Sequence, residues 1–295
     1  MKKVVSAFIF LLAVYGYLYS QAEEQVYIVG FDSYGSNSAA VYWLNGQRYV
    51  LQETWEKNAY ANAIAVSGSN VYIAGEEGNG FISDAVYWIN GKKNVLPKTG
   101  KFAHANAIAV SGSNVYIAGD ESIGDVTEAV YWLNGKKNVL PKTGARASAR
   151  AIAVSGSNVY IAGGEENGRD GYYDAVYWLN GKRNVLPKTG NNVEVWAIAV
   201  SGSNVYIAGH EWYVSGVVEA VYWLNGQRNV LLKTGEGASA RAIAVSGSNV
   251  YIAGDDGDDA VYWLNGKRTV LPKRWEEARP CAIAVTDLKI QIKEE

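Results

Sequence analysis

The chain has 295 residues, with 27 Lys and Arg against 29 Asp and Glu, and a formal net charge of −2. That near-neutral balance argues against nucleic acid as the main partner, which usually needs a basic stripe. The single cysteine, Cys281, excludes an internal disulfide framework, so packing alone must stabilise the fold.

Residues 1–22 read as a secretory signal peptide. Lys2 and Lys3 precede an apolar run from Val4 to about Leu18, and Ser20-Gln21-Ala22 forms a small-x-small cleavage site. The run is shorter than the roughly 20 residues a spanning helix needs. The expectation is a protein that is secreted, periplasmic or on the cell surface, monomeric, and without a transmembrane anchor after cleavage.

Residues 23–295 read as one domain of near-copies. The unit runs A-I-A-V-S-G-S-N-V-Y-I-A-G, a variable stretch, then A-V-Y-W-L-N-G-K-K-N-V-L-P-K-T-G. Its Tyr-Trp pair recurs at Tyr42-Trp43, Tyr87-Trp88, Tyr131-Trp132, Tyr177-Trp178, Tyr222-Trp223 and Tyr262-Trp263. A period of about 40–45 residues is that of a four-stranded propeller blade. Each copy offers four β-type runs: a (Ala-Ile-Ala-Val), b (Val-Tyr-Ile-Ala-Gly), c (Ala-Val-Tyr-Trp-Leu) and d (Asn-Val-Leu-Pro). Asn-Gly between c and d calls for a type I′ hairpin, and Ser-Gly-Ser-Asn for a tight a–b turn. Pro97, Pro141, Pro187 and Pro272 fall in run d, which predicts that d is the outer edge strand. The first copy begins at run b, with Val26-Tyr27-Ile28, and the last stops after run a, at Ala282-Ile283-Ala284-Val285. Joining the two fragments leaves no open edge. The predicted fold is therefore all-β: a six-bladed β-propeller of four-stranded antiparallel blades, closed by the C-terminal strand joining the N-terminal blade. Leu288 to Ile292 has no place in that scheme.

The copies differ mainly in the b–c and d–a connections, which an up-and-down blade puts on one face. Loops on a rigid scaffold commonly carry function. Recurrent residues there read as structural: the acids Asp32, Glu77, Glu121, Glu165, Glu211 and Asp256, and a second series including Asp84, Glu128 and Asp174, are expected to cap turns or to pair with Arg150 and Arg241. The recurrent aromatics of runs b and c read as packing between blades. The opposite face carries basic c–d hairpins, including Arg48, Lys93, Lys137 and Arg228, expected to form a solvated rim.

Aromatics that do not recur are the better site candidates: Trp55, Tyr60, Phe102, Tyr172, Tyr173, Trp196, Trp212, Tyr213 and Trp275. His104, His210, Glu211, Arg150 and Arg241 stand among them. Trp196 sits just before run a, where other copies have Asn62, Asn106, Arg150 and Arg241, so it is expected at the mouth of a central channel. Two isolated histidines do not make a metal site, and Asp255 to Asp259 is too short for a calcium loop. No catalytic residue, metal or cofactor is assigned.

At A-V-Y-W-L-N-G, followed by A-I-A-V and V-Y-I-A-G, the unit resembles the HAF-type extracellular repeats of bacteria. It departs from them in lacking a His before the Ala-aromatic pair and in carrying Asn-Val-Leu-Pro-Lys-Thr-Gly where they have an Asp-Leu-Gly stretch. The resemblance implies secretion and a propeller-like fold, and supplies no catalytic residues. The expected function is non-enzymatic recognition of carbohydrate or an envelope protein through the variable face. The alternatives are a glycan hydrolase or lyase using loop carboxylates, and a structural spacer.

Overall fold

In a computed structural model of the chain, the described residues are 25–34, 37–51, 57–168, 171–272 and 283. All regular structure among them is β-strand. No helix there is long and apolar enough to cross a membrane. The leader, Trp55, Trp275 and all but Ile283 of the expected closing strand lie outside the described residues, as do Cys281 and Leu288 to Ile292.

The first copy contributes β1 (Tyr27–Tyr34), β2 (Asn37–Leu44) and β3 (Gln47–Val50). The second is β4 (Asn58–Ser67), β5 (Asn70–Gly78), β6 (Ser83–Ile89) and β7 (Lys92–Val95). The third is β8 (Phe102–Ser111), β9 (Asn114–Ile123), β10 (Val126–Leu133) and β11 (Lys136–Val139). The fourth is β12 (Ala147–Ser155), β13 (Asn158–Glu166), β14 (Tyr173–Leu179) and β15 (Lys182–Val185). The fifth is β16 (Asn192–Ser201), β17 (Asn204–Trp212), β18 (Val218–Leu224) and β19 (Gln227–Val230). The sixth is β20 (Ala238–Ser246), β21 (Asn249–Asp256), β22 (Asp259–Leu264) and β23 (Lys267–Val270).

Within each of the last five copies the order is a-b-c-d, the first showing b-c-d among the described residues, and every pairing within a copy is antiparallel. The second and third copies merge into one eight-stranded sheet, because Ser83 of β6 meets Phe102 of β8 in a single parallel pair. Thr127–Arg146 and Val218–Gly237 form isolated bridges at corresponding junctions. The start of each strand c thus leans on the start of the next strand a. The strands also run further than the sequence suggests. Most of the expected variable loop from Asp120 to Glu128 is ladder, leaving only Gly124 and Asp125 between β9 and β10. The prolines of run d fall two residues beyond the short outer strands.

Both turn types follow from their residues. Asn45, Asn90, Asn134, Asn180, Asn225 and Asn265 have φ near +50°, each followed by Gly near +80°, as a type I′ turn requires. The same asparagines hold neighbouring hairpins: Asn134 Oδ1 accepts from Val115 N and its Nδ2 donates to Asn114 Oδ1, both at 2.9 Å. This double duty explains why one end of the repeat barely varies. The constancy needs no binding function on the opposite end to explain it.

The core lies between copies. Each strand-c tryptophan from Trp88 to Trp263 is fully buried. Its Nε1–H donates backwards, to Leu51 O (3.1 Å), Pro97 O (2.9 Å), Pro141 O, Pro187 O and Leu232 O (2.8 Å each). A large apolar ring plus one satisfied polar atom makes a strong, directional joint. Ile73, Ile117, Ile161, Ile207 and Ile252 fill the same joints at 1% exposure, whereas Ile28 of the first copy is 55% exposed. Among the described residues, the flank of the first sheet is therefore open.

Candidate binding site

In each complete copy, strand a carries one extra residue relative to strand b. The register shifts at Asn62, Asn106, Arg150, Trp196 and Arg241. A bulge bends the strand and re-aims a side chain. Glycine in strand b makes room for it: a Cβ on Gly75, Gly119, Gly163, Gly209 or Gly254 would stand 1.9–2.1 Å from a strand-a carbonyl oxygen. So the constant Gly of V-Y-I-A-G serves the most variable position of the unit.

Strands a contact one another from copy to copy. The bulged side chains consequently converge. Asn62, Asn106, Arg150 and Trp196, with Asp120 and Ser148, line an axial cavity of about 420 Å³. A second cavity of about 400 Å³ lies beyond Trp196, lined by Glu194, Trp196, His210, Trp212, Ser239, Arg241 and Asp255 among others. Trp196 separates the two and lies between two guanidiniums, Arg150 at 5.0 Å and Arg241 at 5.8 Å from its ring centre. Such contacts are cation–π in character. Arg241 is tied to Asp255 through Nε. Arg150 makes no hydrogen bond among the described residues, and Glu194 Oε1 stands 4.0 Å from it.

His210 is 3% exposed. Its Nδ1 accepts from Trp196 Nε1 at 3.2 Å, which puts the ring proton on Nε2. Nε2 has no hydrogen-bond partner among the described residues, with Glu194 Oε2 at 3.8 Å. Burial first, then the charges of Arg241 and Arg150, lower its pKa to about 4. Trp212 meets it edge-on, ring centres 4.0 Å apart.

A third cavity of about 260 Å³ lies between the second and third copies, with Tyr60, Glu76, Phe102 and His104 in its wall. His104 bridges Glu76 (3.2 Å) and Asp120 (3.1 Å). Its hydrogen bond to Asp120 outweighs burial, and with the negative charge of Glu76 and Asp120 raises its pKa. Burial raises that of Glu76. Ser148 and Asn106 donate to the free oxygen of Asp120, so the cluster stitches three copies together. Tyr173 lines a smaller cavity of about 210 Å³ with Arg150 and Glu194.

The recurrent acids take partners other than those expected. Glu77, Glu121, Glu165, Glu211 and Asp256 pair with the basic hairpins, at Lys93, Lys137, Arg183, Arg228 and Arg268, rather than with Arg150 and Arg241. The last four also accept backbone N–H groups from the Lys-Thr-Gly of the preceding copy, as Glu211 does from Gly190 at 2.8 Å. Burial pushes the Glu165 carboxyl up, but hydrogen bonds from Thr143, Gly144 and Arg183 together hold it below the ordinary range. Asp84, Glu128 and Asp174 pair with Lys98, Lys142 and Lys188. The rim lysines and arginines are thus partly spent on joints.

Of the residues singled out in the sequence, Arg150, Trp196, His210, Trp212 and Arg241 come together around the axis. Tyr60, Phe102 and His104 form the neighbouring wall. Glu211 is fully buried in a joint, and Tyr213 serves the same joint, its hydroxyl 2.8 Å from Glu219 Oε2. Tyr172 is half-buried in a turn, its carbonyl accepting from Asn167 N at 3.0 Å. Asn62, Asn106, Asp120, Ser148 and Glu194 belong to the site as well. Their signal is variation between copies at fixed positions: the bulge, the residue two before it, and the strand-b residue facing the latter. Among the described residues no group of three or more His, Cys, Asp or Glu is placed to hold a metal ion.

Radially joined antiparallel sheets with an axial site define a propeller-like all-β repeat protein. No protein-family model matches the chain, and no curated protein matches it. Solved structures similar to it in fold include TolB from Acinetobacter baumannii, at 13% identity over 87% of this chain, with a TM-score of 0.55. Another is a puromycin-hydrolyzing peptidase of Mycobacterium tuberculosis, at 14% identity over 85% of this chain and a TM-score of 0.53. The chain spans 66% of the TolB chain and 44% of the peptidase. At such identities the likeness is one of fold alone.

Proposed function

We propose that this chain is a secreted, non-enzymatic binding module of a bacterial cell envelope, recognising carbohydrate or protein at its axis. Its scaffold would be a six-bladed propeller closed by the strand around Ile283 joining β1, a fold and setting in keeping with the resemblance to HAF-type repeats. The exposed flank at Ile28 suits that closure. The observation that carries the functional reading is the set of five bulges: a constant backbone device aims side chains of three kinds, Asn, Arg and Trp, at two adjoining cavities. Packing alone would favour repeating one residue there. The carboxylates that an enzyme reading would use, Glu121 and Glu211, are buried in ion pairs.

The test is a glycan array and an envelope-protein pull-down, run beside hydrolysis assays on the same polysaccharides. Retention without turnover is the expected result. Trp196→Ala should weaken that retention by about 1–2 kcal/mol or more, as for an anchoring aromatic, and Trp212→Ala likewise. Turnover that survives purification, or retention untouched by both variants, would overturn the reading.

A further inference from the structure

We infer that the axial cavity takes an acidic saccharide, with its carboxylate held edge-on by the Arg150 guanidinium and its hydroxyls paired with Asn62, Asn106 and Ser148. The inference rests on the binding-module reading and names the ligand class for that same site.

The Arg150 guanidinium carbon stands 5.0 Å from the centre of the Trp196 ring, and its N–H groups make no hydrogen bond among the described residues, Glu194 Oε1 lying 4.0 Å from Nη2. A planar fork of donors matches a carboxylate bidentately, as a lysine would not. The neighbouring charges favour a monoanion over a dianion. Arg241 is neutralised by Asp255 and Asp120 is paired with His104, which leaves Arg150 facing only the long contact to Glu194 at 4.0 Å, and with these carboxylates close by a doubly charged phosphate would be repelled. Asn106 Nδ2 donates to Asp120 and Ala149 O, Asn62 Nδ2 to Ala105 O and Ser148 Oγ to Asp120, so these groups meet a ligand mainly with their amide, hydroxyl and carboxylate oxygens, which suits the hydroxyl donors of a polyhydroxylated ring.

The buried Nε2–H of His210 is a second, independent sign of an incomplete site. Glu194 stands 4.0 Å from Arg150 and 3.8 Å from His210, within hydrogen-bond distance of neither. With a ligand carboxylate on Arg150, repulsion between the two carboxylates turns Glu194 toward His210, where it accepts the Nε2 proton. Binding then satisfies both orphan donors at once.

The experiment is calorimetric titration of the full chain with oligomers of galacturonate, glucuronate and mannuronate, and with their carboxyl-reduced neutral counterparts. At least one acidic oligomer should bind at least tenfold more tightly than its neutral counterpart, and more weakly as salt rises. Arg150→Gln should lose that margin, and Arg150→Lys should restore only part of it, while both keep the wild-type thermal midpoint. Equal affinity for acidic and neutral sugars, or an unaffected Arg150→Gln, would overturn the inference and leave the binding module standing. Poly-glutamate binding as tightly as the best uronate would overturn the assignment to a sugar. If no oligomer of either kind binds, the inference and the carbohydrate half of the proposed function fall together.

Discussion

Gly163→Ala tests whether the bulges shape the site. A methyl there would stand 1.9 Å from Ser148 O and 3.1 Å from Ala149 Cα, both backbone atoms of β12. Neither can retreat without opening the β12–β13 ladder. Overpacking of this kind costs about 1–3 kcal/mol, offset by roughly 0.4–1 kcal/mol from the stiffer unfolded chain. The net expectation is a loss of about 1–2 kcal/mol. At 2–4 °C per kcal/mol the thermal midpoint should fall by roughly 2–8 °C. The neighbouring residue supplies the control. At Gly164 an added Cβ meets nothing nearer than Tyr173 Cδ1 at 3.5 Å, an ordinary contact. Other copies already carry Glu76, Asp120, His210 and Asp255 at that position. Gly164→Ala should therefore be neutral or slightly stabilising. Urea and thermal unfolding of the two variants, side by side, decide the matter. Equal stability would mean that the bulge is not held by the glycine, and the account of how Arg150 is aimed would fail.

Trp178→Phe removes the hydrogen bond to Pro141 O and leaves unfilled space in a joint that is now fully buried, so it should cost about 2 kcal/mol or more; a loss under 0.5 kcal/mol in urea would contradict the joint's role. Acid should weaken the fold through His210. Its pKa is about 4 when folded against an ordinary 6.5, so the unfolded chain binds the proton first and stability falls as pH drops from 6.5 to 4, by up to roughly 3 kcal/mol. His210→Gln should flatten that part of the urea-midpoint profile, and an unchanged slope would refute the assignment. Deleting residues 280–295 should lower the thermal midpoint well beyond the effect of trimming a surface loop such as Gly124-Asp125; an unchanged midpoint would rule out closure by the strand around Ile283.

The repeat alone determined the strand order, the hairpins and the inward or outward rank of each strand. Asn-Gly and Ser-Gly-Ser-Asn dictate local backbone angles, and a tryptophan that recurs every 40–46 residues must solve one packing problem each time. The prominence of Trp196 was legible as well, because it breaks the pattern at its position. Only the tertiary structure decided how the charges pair. Glu211 and Arg228 lie 17 residues apart in sequence, and Gly190 belongs to the preceding copy, so no local rule joins them. Only the structure located the bulges, since a bulge is a mismatch between two strands and neither strand shows it alone. That mismatch turns five strand positions toward the axis. Variation that reads in the sequence as a binding face of loops lies in part, in three dimensions, at strand positions that line cavities, one bulged residue per complete copy.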